Sequence, residues 1–219
     1  MEARTDTKSK SETAPVWVAF DFDGTLTRRD TLLPFLRQVL GTKKLAISLL
    51  MELPWLAAYF GGALSNDKAK ERLLRRTLGG VSSEELHEHG RQFAEHTIPK
   101  LLRAGMLRRL SQHLSLGHQC VLVTASPAIY TRPWAQAMGF AHVIATELAF
   151  DTDGNSTGYF LGGNCYGPIK AARLREIMPA AVTLYAYGDS RGDRELLAVA
   201  QHGWLLSASN RYGDELPIL

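Results

Sequence analysis

Cysteine is scarce in this 219-residue sequence, which holds only Cys120 and Cys165. Two cysteines cannot build a disulfide scaffold, and their spacing fits no zinc motif. That points to a reducing compartment, the cytoplasm. No Gly-X-Y period, low-complexity tract or repeat of about 20–50 residues is present, which excludes fibres and solenoids. An excess of one charge is also missing. A net charge of +3 suits anionic substrates or a membrane surface but is no nucleic-acid footprint. Residues 1–15 lack the apolar region of a secretory signal and read as a disordered leader. What is present is 45% apolar and 21% charged residues. This is enough for one domain with a modest insertion and too apolar for disorder throughout.

One stretch is unusually apolar, Leu45–Leu64. Its length is borderline for a membrane span, which needs about 20 apolar residues. Glu52 and Pro54 near its middle disfavour one straight spanning helix. Two readings stay open: a buried helical pair, or a hairpin lying on a membrane surface. Lys43 and Lys44 before it, and Lys68, Lys70 and Arg72 after it, suit anionic headgroups or an ordinary solvated helix face.

Val16–Phe20 reads as a buried strand, ending at Asp21 and the turn residues Asp23-Gly24. From about Leu32 to His113 the pattern is helical, with a capped start at Ser82-Ser83-Glu84-Glu85. Residues 105–116 form a further helix stopped by Gly117. Strands and helices then alternate. The strands are Gln119–Val123, the pair His142–Phe150 and Thr157–Phe160 flanking a hairpin signal at Asp153-Gly154-Asn155, Val182–Tyr187 and Trp204–Leu206. The helices are Pro133–Met138, Ile169–Ile177 and Arg194–Ala200. This alternation predicts an α/β fold, a doubly wound and mainly parallel sheet with helices on both faces. The helical run between the first two core strands is too long for a simple crossover and predicts an inserted helical cap. The division expected is a core of residues 16–34 and 100–219 and a cap of residues 35–99.

In such sheets, ligands bind beyond the carboxyl ends of the strands. Three predicted strands end at Asp21, Thr124 and Asp189, which should therefore meet at one edge. Asp21 and Asp23, two apart, point to the same side of an extended segment. Asp189 and Asp193 follow the third strand in Gly-Asp-Ser-Arg-Gly-Asp. Up to four carboxylates in one small volume repel each other without a cation, and oxygen-only ligands favour Mg²⁺. A carboxylate attacks a phosphate dianion only if that repulsion is offset. A metal, Lys170 and the N–H groups of the Thr124-Ala125-Ser126 loop are the available means.

Four motifs in order resemble the haloacid dehalogenase superfamily, in its phosphoserine-phosphatase-like branch with a cap after the first motif. They are Asp21-Phe22-Asp23-Gly24-Thr25-Leu26-Thr27; Thr124 ending a strand; Lys170 before a helix; and Gly188-Asp189-Ser190-x-x-Asp193. The resemblance covers residues 16 to about 207. It implies that Asp21 is the nucleophile of an aspartyl-phosphate mechanism and Asp23 the general acid and base. It implies phosphate contacts from Thr124, Lys170, Gly24 and Ala125. It implies Mg²⁺ bound by Asp21, the backbone carbonyl of Asp23, and Asp189. Asp193 is then a ligand through water or a positioner of Lys170.

The substrate is less legible. Asp30 stands where phosphoserine phosphatases carry a glutamate for the substrate amine; it reads as a polar substrate contact or as a helix N-cap. Arg72 and Arg75 read as a clamp for a second anionic group or as a solvated face. The apolar stretch and the Ala200–Trp204 ending resemble the phosphatidylglycerophosphatase C branch, implying a lipid-linked phosphate monoester. A small soluble, phosphoserine-like ester is the alternative, and a phosphoacceptor switch or an inactive membrane-interaction protein are remote ones. Trp55, Tyr59 and Phe60 read as cap core, and Cys120 and Cys165 as structural.

Overall fold

The computed structural model describes residues 14–62 and 65–206, apart from the side chains of residues 56–60 and 66. All but the last two residues of the expected leader, and the side chains of Tyr59 and Phe60, fall outside that set. Six strands form one sheet: β1 (Val16–Phe20), β2 (Gln119–Pro127), β3 (His142–Phe150), β4 (Ser156–Leu161), β5 (Thr183–Gly188) and β6 (His202–Leu205), in the order β4-β3-β2-β1-β5-β6. All neighbours pair parallel except the hairpin β3–β4. The Asp151 carboxylate closes that hairpin by accepting from the N–H groups of Asp153 and Asn155.

The unbroken apolar runs of β1 and β2 follow from burial on both faces. Val18 and Phe20 join the core under α4 (Ala104–Ser115) and α5 (Ala128–Ala137), whereas Trp17 and Ala19 join the core under α6 (Pro168–Ile177) and α7 (Arg194–Ala198). Each fully buried aromatic such as Phe20 or Tyr187 contributes on the order of 1.5–3 kcal/mol through area removed from water. Helix α5 begins at Ala128 rather than at Pro133. Pro133 has no N–H for the Ile129 carbonyl four residues back. That carbonyl faces Gly90 of α3 (Ser83–His96) so closely that a Cβ there would collide with it.

Between β1 and β2 lie α1 (Leu32–Phe60), α2 (Asn66–Leu78), α3 and α4. The expected boundary at residue 35 falls inside α1, whose non-helical point is Gly41, at φ +76°. Ser82 caps α3 by accepting from Glu85 N–H, as its sequence predicts. Helix α2 packs against α1 and β4, and α3 against α5.

The apolar stretch is helical through Phe60, but it is not wholly buried. Leu45 and Glu52 face inward, while Ile47, Leu50, Met51, Leu53 and Trp55 are exposed. Expectations of a closed apolar pair, and of Trp55 as core, are corrected to that extent. The physical reason is Glu52, only 3% exposed and paired with Arg72 (Nε at 2.6 Å) and Arg76 of α2. A buried carboxylate must face its partners, so Ile47 and Leu50 on the other side of the helix turn outward, while Trp55, on the side of Glu52, lies over Arg72 at the surface. Among the described residues, no helix is long and apolar enough to cross a membrane.

Candidate active site

The register Phe20↔Leu122 and Phe20↔Tyr187 brings the ends of β1 and β5 level with Val123 and Thr124 of β2, which runs on to Pro127 instead of stopping at Val123 as expected. Asp21 N–H donates to the Tyr187 carbonyl at 2.9 Å, continuing the ladder one residue past β1. Asp21, Thr124 and Asp189 therefore meet at the carboxyl edge. Lys170, on the first turn of α6, reaches the same point. Its Nζ lies 2.5 Å from Asp21 Oδ1 and 2.6 Å from Asp193 Oδ1, and all three side chains are buried. Thr25 Oγ1 donates to Asp21 Oδ2 at 3.1 Å.

These contacts set the charge states. Burial alone disfavours the Lys170 ammonium, but Asp21 and Asp193 outweigh it and hold its pKa above the usual lysine range. Burial pushes the Asp21 carboxyl above the ordinary carboxylate range, with Lys170 pulling against it and Asp193 adding to it. Both oxygens of the Asp193 carboxylate accept hydrogen bonds. Oδ1 holds Lys170, and Oδ2 accepts from Asp189 N–H, Ser190 N–H and Ser190 Oγ at 3.2, 3.0 and 2.8 Å. It ties Lys170 to the loop that carries Asp189.

Asp23 lies on the turn Phe22–Leu26. Its Oδ1 accepts from Thr31 N–H at 2.9 Å and Thr31 Oγ1 at 2.7 Å, and its Oδ2 accepts from Ser126 Oγ. Burial, with Asp30 nearby, raises its pKa to about 6 against these donors. Gly24 follows at φ +77°, a region that disfavours side chains. The space a Cβ would take there is filled by the Asp189 carboxylate.

A cavity of about 490 Å³ opens over these groups. Asp21, Asp23, Gly24, Thr124, Ala125, Lys170 and Asp189 line its floor; Arg28, Arg29 and Asp30 border it; Ala69, Lys70 and Leu73 of α2 cover it. Carboxylate oxygens of Asp21, Asp189 and Asp193 lie within 4.8 Å of one another. The donor set is all oxygen and packs against a bare Gly24 backbone, which fits Mg²⁺ rather than a softer metal.

Asp30 borders the cavity, and its Oδ1 also accepts from Leu32 N–H at 2.9 Å, capping the start of α1. Two expected contacts are not there. Arg72 is paired with Glu52 and stacked on Trp55 at 4.1 Å, and Arg75 stacks on Tyr159 at 4.7 Å. Neither lines the cavity. Helical rotation explains this, since α2 turns Ala69, Lys70 and Leu73 toward the site and Arg72 and Arg76 toward Glu52.

The cation that does enter from α2 is Lys70, which sequence reasoning left among the flanking charges. Its Nζ donates to the Ala125 carbonyl at 2.6 Å. Burial lowers its pKa, with Asp23 and Asp30 opposing. The available signal was its place three and four residues before Leu73 and Leu74, on the buried face of α2. Ser126, expected only as part of a loop offering N–H groups, instead gives its hydroxyl to Asp23. Arg103 was missed too; its Nε bonds the carbonyls of Gly24 and Thr27, both at 3.0 Å.

Comparison with known proteins agrees with this geometry. Protein CicA of Caulobacter vibrioides is 37% identical over 187 residues, covering 85% of this chain and 83% of that protein. A crystal structure of a protein of unknown function from Bordetella pertussis Tohama I superposes with a TM-score of 0.73 at 28% identity, covering 85% of this chain and 87% of that one. A substrate-bound phosphoserine phosphatase shares the fold, with a TM-score of 0.56 at 16% identity over 86% of this chain and 84% of that one. The family model for haloacid dehalogenase-like hydrolases matches residues 18–198. With that match spanning all four motifs, the chain belongs to the haloacid dehalogenase-like hydrolase family.

Proposed function

We propose that this enzyme is a phosphomonoesterase working through a phosphoryl group carried on Asp21. The observation that carries the reading is the buried Asp21–Lys170–Asp193 triad at the carboxyl edge of the sheet, with Asp23 and Asp189 beside it. An Asp21 oxygen bonds to phosphorus as the ester P–O bond breaks, and Asp23 gives its proton to the leaving oxygen. Asp23 then takes a proton from a water whose oxygen bonds to phosphorus, and the Asp21–phosphorus link opens. Thr124, Lys170 and the N–H groups of Gly24 and Ala125 hold the phosphoryl oxygens. Asp21, the Asp23 carbonyl and Asp189 would hold Mg²⁺, which would supply charge neutralisation for the transferring group. Asp193 acts through Lys170, which its Oδ1 holds at 2.6 Å. Residues 35–99 act as a cap, with α2 closing over the leaving group.

The substrate is a lipid-linked phosphate monoester of the phosphatidylglycerophosphate kind, met at the inner face of an anionic membrane. The support is the outward face of α1, where Ile47, Leu50 and Met51 follow exposed Lys43 and Lys44. A small phosphoserine-like ester is the second reading, favoured by Asp30 at the cavity border.

One experiment separates these readings. Wild type and Asp21→Asn are screened with Mg²⁺ on phosphatidylglycerophosphate, phosphoserine and p-nitrophenyl phosphate, and floated with anionic liposomes. Turnover on every substrate is expected to vanish in Asp21→Asn. Liposome binding is expected in wild type and lost in Ile47→Gln/Leu50→Gln. Full activity of Asp21→Asn would end the phosphatase mechanism. Preference for phosphoserine without flotation would end the lipid reading alone.

A further inference from the structure

Asp23 is gripped from two elements, and a third braces the grip. Thr31, just before α1, donates twice to Oδ1, through N–H at 2.9 Å and Oγ1 at 2.7 Å. Ser126, in the segment after Thr124, donates its hydroxyl to Oδ2. Tyr130 of α5 places its hydroxyl 3.1 Å from Thr31 Oγ1. With the Thr31 hydroxyl donating to Asp23, Tyr130 is left as the donor to Thr31 Oγ1. Thr31 and Tyr130 are fully buried and Ser126 nearly so, which fixes these hydroxyls by packing as well as by hydrogen bonds.

A carboxylate has about four lone-pair sites, two on each oxygen. Thr31 takes both sites on Oδ1, and Ser126 takes one of the two on Oδ2. One site remains, and it belongs to Oδ2. We propose that Thr31, backed by Tyr130, and Ser126 are positioning residues that make Asp23 Oδ2 the atom through which the catalytic proton moves. The inference rests on the aspartyl-phosphate reading above and adds the atom and the groups that select it. In the first half-reaction the Oδ2–H bond breaks as the leaving oxygen takes the proton. In the second, the same lone pair receives a proton from the attacking water, so Asp23 ends the cycle as it began. Without the Thr31 hydroxyl, Oδ1 regains an open site and the carboxyl group has two ways to present a proton. A misplacement of about 1 Å at a reacting group costs roughly 100-fold in rate.

The test compares Thr31→Val, Thr31→Ser and Tyr130→Phe on two substrates. One is the alkyl phosphate that the wild type hydrolyses fastest in the screen above, and the other is p-nitrophenyl phosphate. p-Nitrophenolate leaves without a proton, so transfer to Asp21 survives a misaimed Asp23, whereas hydrolysis of the phosphoenzyme still needs it as base. For Thr31→Val, kcat on the alkyl ester is expected to fall about 10- to 100-fold with KM changed by less than about 3-fold. With p-nitrophenyl phosphate, rapid mixing should give a burst of about one p-nitrophenolate per enzyme before slow turnover. Thr31→Ser should restore the alkyl rate, and Tyr130→Phe, which removes one hydroxyl, should show the same split at smaller amplitude. Equal losses on both substrates with no burst, or no rescue by Thr31→Ser, would overturn the positioning role. Wild-type turnover that survives Asp21→Asn would instead remove the aspartyl-phosphate reading beneath it.

Discussion

Gly24→Ala is the smallest change that probes the acidic centre. Two costs follow from the geometry. The first is conformational: φ +77° is left-handed backbone, where a Cβ meets the following carbonyl at about 1–2 kcal/mol. The second is steric. The new methyl group would overlap Asp189 Oδ2 outright and lie 2.5 Å from Asp189 Cγ and 2.8 Å from Asp189 Oδ1. Non-bonded carbon atoms settle at about 3.5 Å or more, so the Asp189 carboxylate must retreat by about 1 Å. The three hydrogen bonds to Asp193 hold the Asp189 N–H and Ser190, so the loop stays in place and the carboxylate yields by turning its own side chain away from its place beside Asp21. A displacement of about 1 Å at a catalytic centre costs on the order of 100-fold in kcat. Thermal stability should fall modestly, by about 2–8 °C for a domain of this size. The assay is steady-state phosphatase turnover against Mg²⁺ concentration, with a melting curve of the same sample. The expected result is a kcat loss near 100-fold, with a weakened Mg²⁺ requirement curve, in a protein that remains folded. Turnover within about 3-fold of wild type, at unchanged Mg²⁺ dependence, would refute the claim that Asp189 must stand against the bare Gly24 backbone.

Two further outcomes test the buried charges. Lys170→Met leaves Asp21 and Asp193 buried without their shared cation. In metal-free buffer it should lose about 3–5 kcal/mol of stability by urea unfolding, and a loss under about 1 kcal/mol would contradict a structural role for the triad. His113 is fully buried, with Nε2 2.9 Å from the Tyr187 hydroxyl and Nδ1 2.8 Å from His118 Nδ1. Burial, with His118 and Arg109 nearby, depresses its pKa to about 3. The unfolded chain takes up that proton near pH 6.5. The neutral imidazole's contribution is therefore intact above about pH 6.5 and is lost as pH falls toward 3. The melting-temperature advantage of wild type over His113→Gln should shrink steadily between pH 7 and pH 4. A difference independent of pH would show that His113 is not held neutral.

Much of the catalytic floor was legible because it is written in local sequence. Asp21, Thr124 and Asp189 each follow a visible apolar run, and parallel neighbours in register must deliver the ends of those runs to one edge, although β2 itself continues past Thr124 to Pro127. Asp23 follows by its spacing of two. The roof was not legible for a rotational reason. Lys70, Arg72, Arg75 and Arg76 are cations on one thirteen-residue helix, and a turn of about 100° per residue decides which of them meets the cavity. The rotation of α2 is set by Glu52 from a helix about 20 residues earlier, a pairing that no local window contains. The orientation of α1 was open for the same reason. Composition alone could not tell an apolar residue packed inward from one turned out beside a buried ion pair.

By itself, then, the amino-acid order determined the alternation of strands and helices, the parallel sheet and the acids at its edge, since these depend on short-range periodicity and on where each apolar run stops. Only the tertiary structure decided which cation covers the site, which atom of Asp23 is left open and which face of α1 meets solvent. Those outcomes depend on contacts between segments tens of residues apart: Thr31 with Tyr130, Ser126 with Asp23, and Glu52 with Arg72 and Arg76. Buried polar groups must find partners wherever the fold supplies them.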